Sequence, residues 1–240
     1  MPEPFVHLHL HTEFSLVDST LRLKPMVERA REIGMPAIAV TDQFNLFALV
    51  KFYHAAVEAG VKPIVGADVM VNNPEDLDHP NRLVLLCQNK QGYLNLCQLL
   101  SRGYLDGQHH GLPFLRRDWV GDHAEGLIAL SAGREGDIGQ ALINRHPNKA
   151  RRFAEGWMRD FPGRFYLEIQ RTGRAQEKLH ERHALHLAAE LGLPVVATND
   201  VRFLDREDFK AHEARVCIHD GRLLADKRRE QRYSEEQYLK

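Results

Sequence analysis

The chain has 240 residues, of which 43% are hydrophobic and 27% are charged, proportions that exclude a disordered or fibrous protein. Its 32 basic and 33 acidic residues nearly cancel, which excludes binding to nucleic acid through overall charge alone. No stretch approaches the roughly 20 apolar residues of a membrane helix, and three scattered cysteines do not suggest a disulfide scaffold. We therefore expect a cytoplasmic protein with no membrane partner.

Short apolar runs and longer amphipathic stretches alternate along the chain. The apolar runs predict seven strands, at residues 6–10, 37–41, 63–71, 82–88, 126–132, 165–171 and 194–200. Apolar residues at three- and four-residue spacing predict helices at residues 23–33, 46–59, 92–104, 137–144, 147–161 and 175–191, with another after residue 205. Three of these helices should end at a glycine that a proline follows closely: Gly34, Gly60 and Gly192.

This alternation predicts an α/β fold built on parallel strands. Nearly continuous apolar strands, such as residues 37–40, are typical of a parallel sheet covered on both faces. An open doubly wound sheet and a closed barrel both fit the pattern, and seven strands in a chain of this length favour a small barrel. Residues 72–81 and 106–113 are predicted loops. The polar tail after residue 221 breaks off within a pattern, so we expect the natural chain to continue beyond Lys240.

Polar residues follow several predicted strands, where α/β barrels place their functional groups. His7, His9 and His11 are spaced by two, so a strand would place their imidazoles on one face, where two of them could bind one divalent metal. For Asp42 and Asp200, capping of the next helix and metal binding are equally good interpretations. Convergence on one rim would favour metal binding.

Three other features of the sequence bear on the site. Asp68 lies within an apolar run, where an unpaired carboxylate would be costly. The histidines at positions 180, 183 and 186 share one helix without neighbouring carboxylates, so we interpret them as a solvated face. The pair His109 and His110 is interpreted in the same way, as solvated loop residues.

The motifs "HLHLHTEFS", "VTD", "GAD" and "ATND" resemble those of the PHP (polymerase and histidinol phosphatase) superfamily of metal-dependent phosphoesterases. That resemblance implies a seven-stranded (β/α) barrel, the PHP fold. Longer blocks, among them "MPAIAVTDQFNLFALVKFY" and "GLPVVATNDVRF", resemble the N-terminal PHP domain of bacterial DNA polymerase III alpha subunits. The blocks recur in order, so the resemblance implies a PHP domain at residues 1–221. Residues 222–240 would lead into the polymerase part.

The resemblance also implies a metal cluster, and this sequence keeps only part of its ligand set. The matching residues are His9, His11, Asp18, Asp42, Asp68 and Asp200. Other ligand positions of the family carry Gln43, Arg82, Gly133 and Arg202. Glutamine is a poor ligand, glycine offers none, and arginine is a permanent cation. We therefore expect weak binding of one divalent ion (Zn²⁺, Mn²⁺ or Mg²⁺) or none, no catalytic residue, and at least one Arg–Asp pair in place of metal–carboxylate bonds.

Two functional hypotheses follow from the resemblance. In the first, the segment belongs to a DNA-directed DNA polymerase, a nucleotidyltransferase, and serves as scaffold and docking surface. Its partners would be the rest of the alpha chain, a proofreading exonuclease subunit, and DNA through the holoenzyme. In the second, the segment is itself an active metal-dependent phosphoesterase or 3′–5′ exonuclease. The replaced ligand positions favour the first hypothesis.

Overall fold

The computed structural model describes residues 5–226, 228–229 and 231–240. These residues form two compact units. The first unit contains the described residues of Met1–Val65, Arg171–Arg174 and Thr198–Lys240, and the second contains Gly66–Gln170 and Ala175–Ala197. None of the helices in the described part of the chain combines the length and the hydropathy needed to cross a lipid bilayer.

The predicted helices are confirmed to within a few residues. The described α-helices are α1 (Leu23–Glu32), α2 (Leu49–Glu58), α3 (Lys90–Asp106), α4 (Arg117–Asp122), α5 (Asp137–Ile143), α6 (Pro147–Asp160), α7 (Glu177–Leu191) and α8 (Phe209–His219). Short 3-10 helices occupy Glu13–Asp18, Gly133–Glu135 and Arg206–Asp208. The three glycines predicted to end helices all have positive φ, from 65° to 74°. A residue with a side chain adopts this conformation only with steric strain. The short helix α4 was not predicted.

Six of the seven predicted strands are present. The described strands are β1 (Ala37–Val40), β2 (Lys62–Val71), β3 (Asn81–Cys87), β4 (Gln108–His109), β5 (Leu112–Pro113), β6 (Leu127–Leu130), β7 (Phe165–Gln170) and β8 (Val195–Thr198). Hydrogen bonding connects six of them in the order β1-β2-β3-β6-β7-β8, and β4 and β5 form a separate hairpin within the predicted loop at residues 106–113. The α/β class is confirmed, whereas a closed barrel of exactly seven strands is not.

In the first unit, β1 pairs in parallel with the first residues of β2, from Ala37 opposite Lys62 to Val40 opposite Val65. The predicted strand at residues 6–10 lies beside β1 but is not regular. The amide of Ala39 in β1 donates to the carbonyl of His7, and the amide of Thr41, just after β1, donates to the carbonyl of Leu10. Two residues along this chain segment therefore match three along the neighbouring one. That extra residue interrupts the ladder as a bulge does.

The core of the first unit consists of apolar side chains that are buried from solvent. Leu10, Met26, Ile38, Phe52 and Val201 are each 0% exposed. Burying a side chain of this size stabilises the fold by about 1.5–3 kcal/mol relative to leaving it exposed. The residues that follow residues 6–10 and β1 in sequence therefore begin from segments that pack on this buried core.

In the second unit, strand direction differs from the expectation. The later part of β2 pairs antiparallel with β3, and β3 pairs antiparallel with β6, while β6 and β7 are parallel. Parallel strands need a long crossover connection, usually a helix. No helix lies in the loop at residues 72–80 between β2 and β3, so the chain turns back directly.

Candidate metal centre

The histidine motif lies in the first unit and is buried. His7, His9 and His11 are 0%, 3% and 0% exposed. The ring centroids of His9 and His11 are 5.5 Å apart, so these two imidazoles could share one ion. The Nε2 atom of His7 lies 3.1 Å from the carbonyl oxygen of Lys240, and burial lowers the pKa of His7 to about 4.

Asp42 organises the turn that follows the histidines. Its two carboxylate oxygens accept hydrogen bonds from the backbone amide of Thr12, the hydroxyl of Thr12 and the hydroxyl of Ser15, each at 2.7 Å. Thr12 in turn caps the 3-10 helix Glu13–Asp18 by accepting from the amide of Phe14. The next α-helix, α2, begins without a side-chain cap, so Asp42 does not cap it. The carboxylate is already held by three donors.

Asp200 is surrounded by cationic and polar side chains and is 1% exposed. One carboxylate oxygen lies 2.7 Å from Nη2 and 2.9 Å from Nε of Arg202. The other lies 3.1 Å from Nη1 of Arg174 and accepts a hydrogen bond from Gln237 at 2.9 Å. Nε2 of His9 lies 3.5 Å from the first oxygen. Burial alone would raise the pKa of Asp200, but Arg202, His9 and Arg174 hold that pKa well below its usual range.

Arg202 joins two carboxylates of the predicted ligand set. Besides Asp200, its Nη1 atom lies 3.5 Å from Oδ2 of Asp18, and its side chain is 1% exposed. The other oxygen of Asp18 accepts a hydrogen bond from the hydroxyl of Tyr233 at 2.7 Å, and the Arg202 guanidinium lies 5.5 Å from the centre of the Tyr233 ring. The expected pair between a replacement arginine and an aspartate at a ligand position is therefore present.

A second Arg–Asp pair lies in the second unit. Asp68 of β2 faces Val84 of β3, and Arg82 lies two residues from Val84 on the same face. Nη1 of Arg82 is 2.5 Å from Oδ2 of Asp68, and its Nε is 3.2 Å from Oε2 of Glu135. Asp68 is 1% exposed, so this buried carboxylate also meets a guanidinium, and the Arg82 side chain is 19% exposed.

Gly133 offers no ligand and little room for one. It adopts a left-handed φ of 56°, and a Cβ atom there would lie 3.0 Å from Oε1 of Gln170. The Gln170 side chain donates to Glu168 at 2.7 Å, and Glu168 is fully buried in β7. Glu168 was missed in the sequence, although an acid within the apolar strand "FYLEIQ" is itself an indication of a buried polar cluster.

These contacts decide how well the residues fit a metal. In the first unit His9, His11 and Asp200 could hold one divalent ion, but only in competition with the buried guanidinium of Arg202. A cluster of several ions needs carboxylates that cations do not already neutralise. Among the described residues, three carboxylates at predicted ligand positions, Asp18, Asp68 and Asp200, already face guanidinium groups.

Contrary to the prediction from the sequence, the three histidines of α7 do not all lie on a solvated face. His180 is 2% exposed, and burial lowers its pKa from 6.5 to about 4 although Glu168 and Glu177 act in the opposite direction. His183 is half-buried and His186 is exposed. The interpretation was wrong at His180. The spacing of three histidines alone does not show which of them lies on the buried side of α7.

Acidification should destabilise the protein through His180. The unfolded chain binds the proton near pH 6.5 and the folded chain only near pH 4, so this contribution is present above pH 6.5 and is lost as the pH falls toward 4. The loss for one such group reaches about 3 kcal/mol. Urea unfolding at pH 7, 5.5 and 4.5 should show a shallower decline for His180→Gln than for the wild type. The control His186→Gln should follow the wild type, and equal slopes for all three proteins would contradict the assignment.

Comparison with known proteins identifies related sequences. The family model described as "PHP domain" matches residues 7–172. A curated protein of Pseudomonas fluorescens named DNA polymerase III subunit alpha is 55% identical over 241 residues, which cover 100% of this chain and 20% of that protein. The protein of the same name from Escherichia coli K12 is 46% identical and is covered to 21% of its length. This chain thus spans about a fifth of the length of these relatives.

Two solved structures share the fold. A candidate metal-dependent phosphoesterase from Bifidobacterium adolescentis superposes with a TM-score of 0.54 at 16% identity, covering 83% of this chain and 88% of that one. An amidohydrolase from Chromobacterium violaceum gives a TM-score of 0.53 at 15% identity, covering 88% and 96%. At these identities the likeness concerns the fold alone.

Proposed function

This chain belongs to the PHP domain family, and from that premise we propose that it is the PHP domain of a bacterial DNA polymerase III alpha subunit in which arginine–aspartate pairs replace the metal cluster. The PHP domain would comprise residues 1–221. Residues 222–240 would lead toward the polymerase part, and Tyr233 and Gln237 among them also contact the site of the first unit. The parent protein would be a DNA-directed DNA polymerase, a nucleotidyltransferase of the cytoplasm. Its polymerase chemistry would lie outside this segment.

The observation that carries the proposal is the buried guanidinium of Arg202. It lies between Asp18 and Asp200, which the family resemblance assigns to the metal. A permanent cation within 3.5 Å of both carboxylates supplies the positive charge that a metal would otherwise bring. Arg82 does the same for Asp68 in the second unit. The residual ligands of the first unit, His9, His11, Asp18, Asp42 and Asp200, would then bind one divalent ion weakly or none.

A domain without its own chemistry can still organise the polymerase. We infer that it packs against the rest of the alpha chain and offers a docking surface to a proofreading exonuclease subunit, with DNA reached through the assembled holoenzyme. What supports docking is the outer side of α2 with the turn before it, where Phe47, Val50, Tyr53 and Val57 are between 51% and 67% exposed. Neighbouring exposed apolar side chains of this size are typical of interaction sites.

Charge introduced on this face should weaken binding of the exonuclease subunit. We expect Val50→Lys to reduce its affinity for the 240-residue chain at least about tenfold, because a desolvated lysine would lie in an apolar contact. Leu105→Lys on α3 is the matched control, since Leu105 is even more exposed but belongs to the second unit. Calorimetric titration with the purified subunit measures the difference. Equal affinities for wild type and Val50→Lys would exclude α2 as the contact.

The rival hypothesis, an active phosphoesterase or 3′–5′ exonuclease, predicts a different result in a hydrolysis assay. We expect the purified chain with Zn²⁺, Mn²⁺ or Mg²⁺ to release no product from single-stranded DNA or p-nitrophenyl phosphate above the level of His9→Ala. Functional enzymes turn over at roughly 1–10³ s⁻¹. Turnover in that range, lost both on chelation and in His9→Ala, would establish the rival.

A further inference from the structure

Two loops of the second unit bring an aspartate and two histidines together on the surface. The loop at residues 72–80 follows β2 and carries Asp78, and the hairpin of β4 and β5 carries His109 and His110. Oδ1 of Asp78 lies 3.0 Å from Nε2 of His109 and 3.4 Å from Nε2 of His110. One ligand atom from each of the three residues lies within 4.8 Å of the other two.

These separations match those within a metal coordination sphere. Bonds of about 2.0–2.1 Å in a tetrahedral site place neighbouring ligand atoms about 3.3–3.4 Å apart. We propose that Asp78, His109 and His110 form a surface binding site for a divalent transition-metal ion, with Zn²⁺ as the expected occupant. Two imidazoles and one carboxylate suit zinc and nickel better than magnesium or calcium, which prefer oxygen ligands throughout.

The fold holds both loops in place at their bases. The amide of Leu115 donates to the carbonyl of Met70, and the amide of Asn72 donates to the carbonyl of Leu115, both at 2.8 Å. The hairpin therefore leaves the sheet beside the start of the loop that carries Asp78. Beyond that start, Asp76 orders the loop by accepting a hydrogen bond from the amide of Asp78.

The hairpin turn fixes the two histidines relative to each other. His110 and Gly111 both have positive φ, 49° and 79°, as the two central residues of a type I′ hairpin require. The His109 and His110 rings are 4.2 Å apart, and the His109 ring also lies 5.9 Å from the buried ring of Phe114. The first imidazole is thus supported from the core while the second projects from a turn.

Without metal, a ring nitrogen of His109 shares a proton with Asp78. That hydrogen bond favours the ionised form of Asp78, which is the ordinary form of an aspartate at neutral pH. A divalent ion would take the place of this proton, which is how imidazole and carboxylate ligands usually exchange hydrogen for metal. Three protein ligands leave a fourth position for water.

Calorimetric titration of the 240-residue chain with Zn²⁺ tests the proposal. We expect Asp78→Asn and His110→Asn to weaken binding at this site at least about tenfold, since loss of an outer partner alone costs 10–100-fold. Asparagine at position 110 keeps a residue that tolerates positive φ. His186→Asn is the matched control, because His186 pairs with Glu190 at 3.2 Å but belongs to no such group of three within the described part of the chain.

The site in the first unit is unchanged in these variants, so any binding at His9 and His11 stays constant across the series. Loss of one equivalent of Zn²⁺ in Asp78→Asn and His110→Asn, with His186→Asn like the wild type, would support the surface site. No zinc binding by the wild type, superimposable titrations of wild type and His110→Asn, or an equal loss in His186→Asn would overturn it.

Discussion

Replacement of Arg202 by methionine should lower the free energy of unfolding by about 3–5 kcal/mol, the usual cost of leaving one partner of a buried ion pair behind. The Arg202 side chain is 1% exposed, and its removal would leave the negative charges of Asp200 and Asp18 with less positive charge beside them. Arg174 and Gln237 would still contact Asp200, so we expect a value toward the lower end of the range. Methionine keeps most of the volume, which limits any contribution from a cavity.

Arg206→Met provides the control for this measurement. Arg206 lies four residues along the same chain segment and pairs with Glu235 and Glu236, but its side chain is 50% exposed. Exposed pairs contribute about 0–1 kcal/mol. Urea unfolding followed by circular dichroism should therefore separate the two variants by at least about 2 kcal/mol. If both variants unfold within about 1 kcal/mol of the wild type, the Arg202 pair does not replace a metal as a source of stability.

The double variant Arg202→Met with Asp200→Asn tests the electrostatic cause. Removing the charge on residue 200 removes the buried carboxylate to which the single variant leaves the guanidinium of Arg174 but not that of Arg202. The double variant should therefore be more stable than Arg202→Met alone, because paired removal is far less costly than removal of one partner. A double variant less stable than Arg202→Met would point to packing of the arginine rather than to its charge.

Local patterns predicted the elements of this fold, and long-range connections were harder to infer. Helix ends at Gly34, Gly60 and Gly192 were correct because the left-handed conformation at a helix end depends on one residue and its neighbours. The antiparallel direction of β3 was missed because direction depends on the connection, and the absence of a helix at residues 72–80 was its indication. The irregular segment at residues 6–10 was missed because a bulge leaves no mark on an apolar run.

In the site, too, contacts between residues close in sequence could be predicted, and contacts between distant residues could not. Asp200 and Arg202 are two residues apart, so a pair between them could be anticipated from sequence once the family resemblance was noted. Arg174, Tyr233 and Gln237 could not, since they reach the site from distant parts of the chain and nothing local distinguishes them. A hydrogen-bonded carboxylate and a metal-bound carboxylate look alike in sequence.

Whether this pocket can still bind a metal can be tested by restoring histidines at two of the replaced ligand positions. We expect the double variant Gln43→His with Arg202→His to bind Zn²⁺ in the first unit together with His9, His11 and Asp200. Position 43 is close enough to contribute, because Oγ of Ser15 contacts both the backbone amide of Gln43 at 2.9 Å and Nδ1 of His11 at 3.0 Å. Without metal the variant should be less stable than the wild type, since it lacks the Arg202 guanidinium.

Zinc should then reverse part of that loss. A ligand at a concentration 100 times its dissociation constant stabilises the folded state by about 2.7 kcal/mol. For a chain of this length that corresponds to a rise in melting temperature of about 5–10 °C. Differential scanning calorimetry with and without Zn²⁺ measures it, and all proteins in the comparison should carry His110→Asn so that the surface histidines do not contribute.

The addition of His9→Ala gives the decisive contrast. If zinc binds among the restored ligands, this third substitution removes one of them and should abolish the zinc-dependent rise. Mass action requires this result, because only binding to the folded state can raise the melting temperature. A melting temperature that does not respond to Zn²⁺ in the Gln43→His, Arg202→His variant would show that more than the guanidinium separates this pocket from a metal site. Asp42, held by Thr12 and Ser15, would then be the next residue to examine.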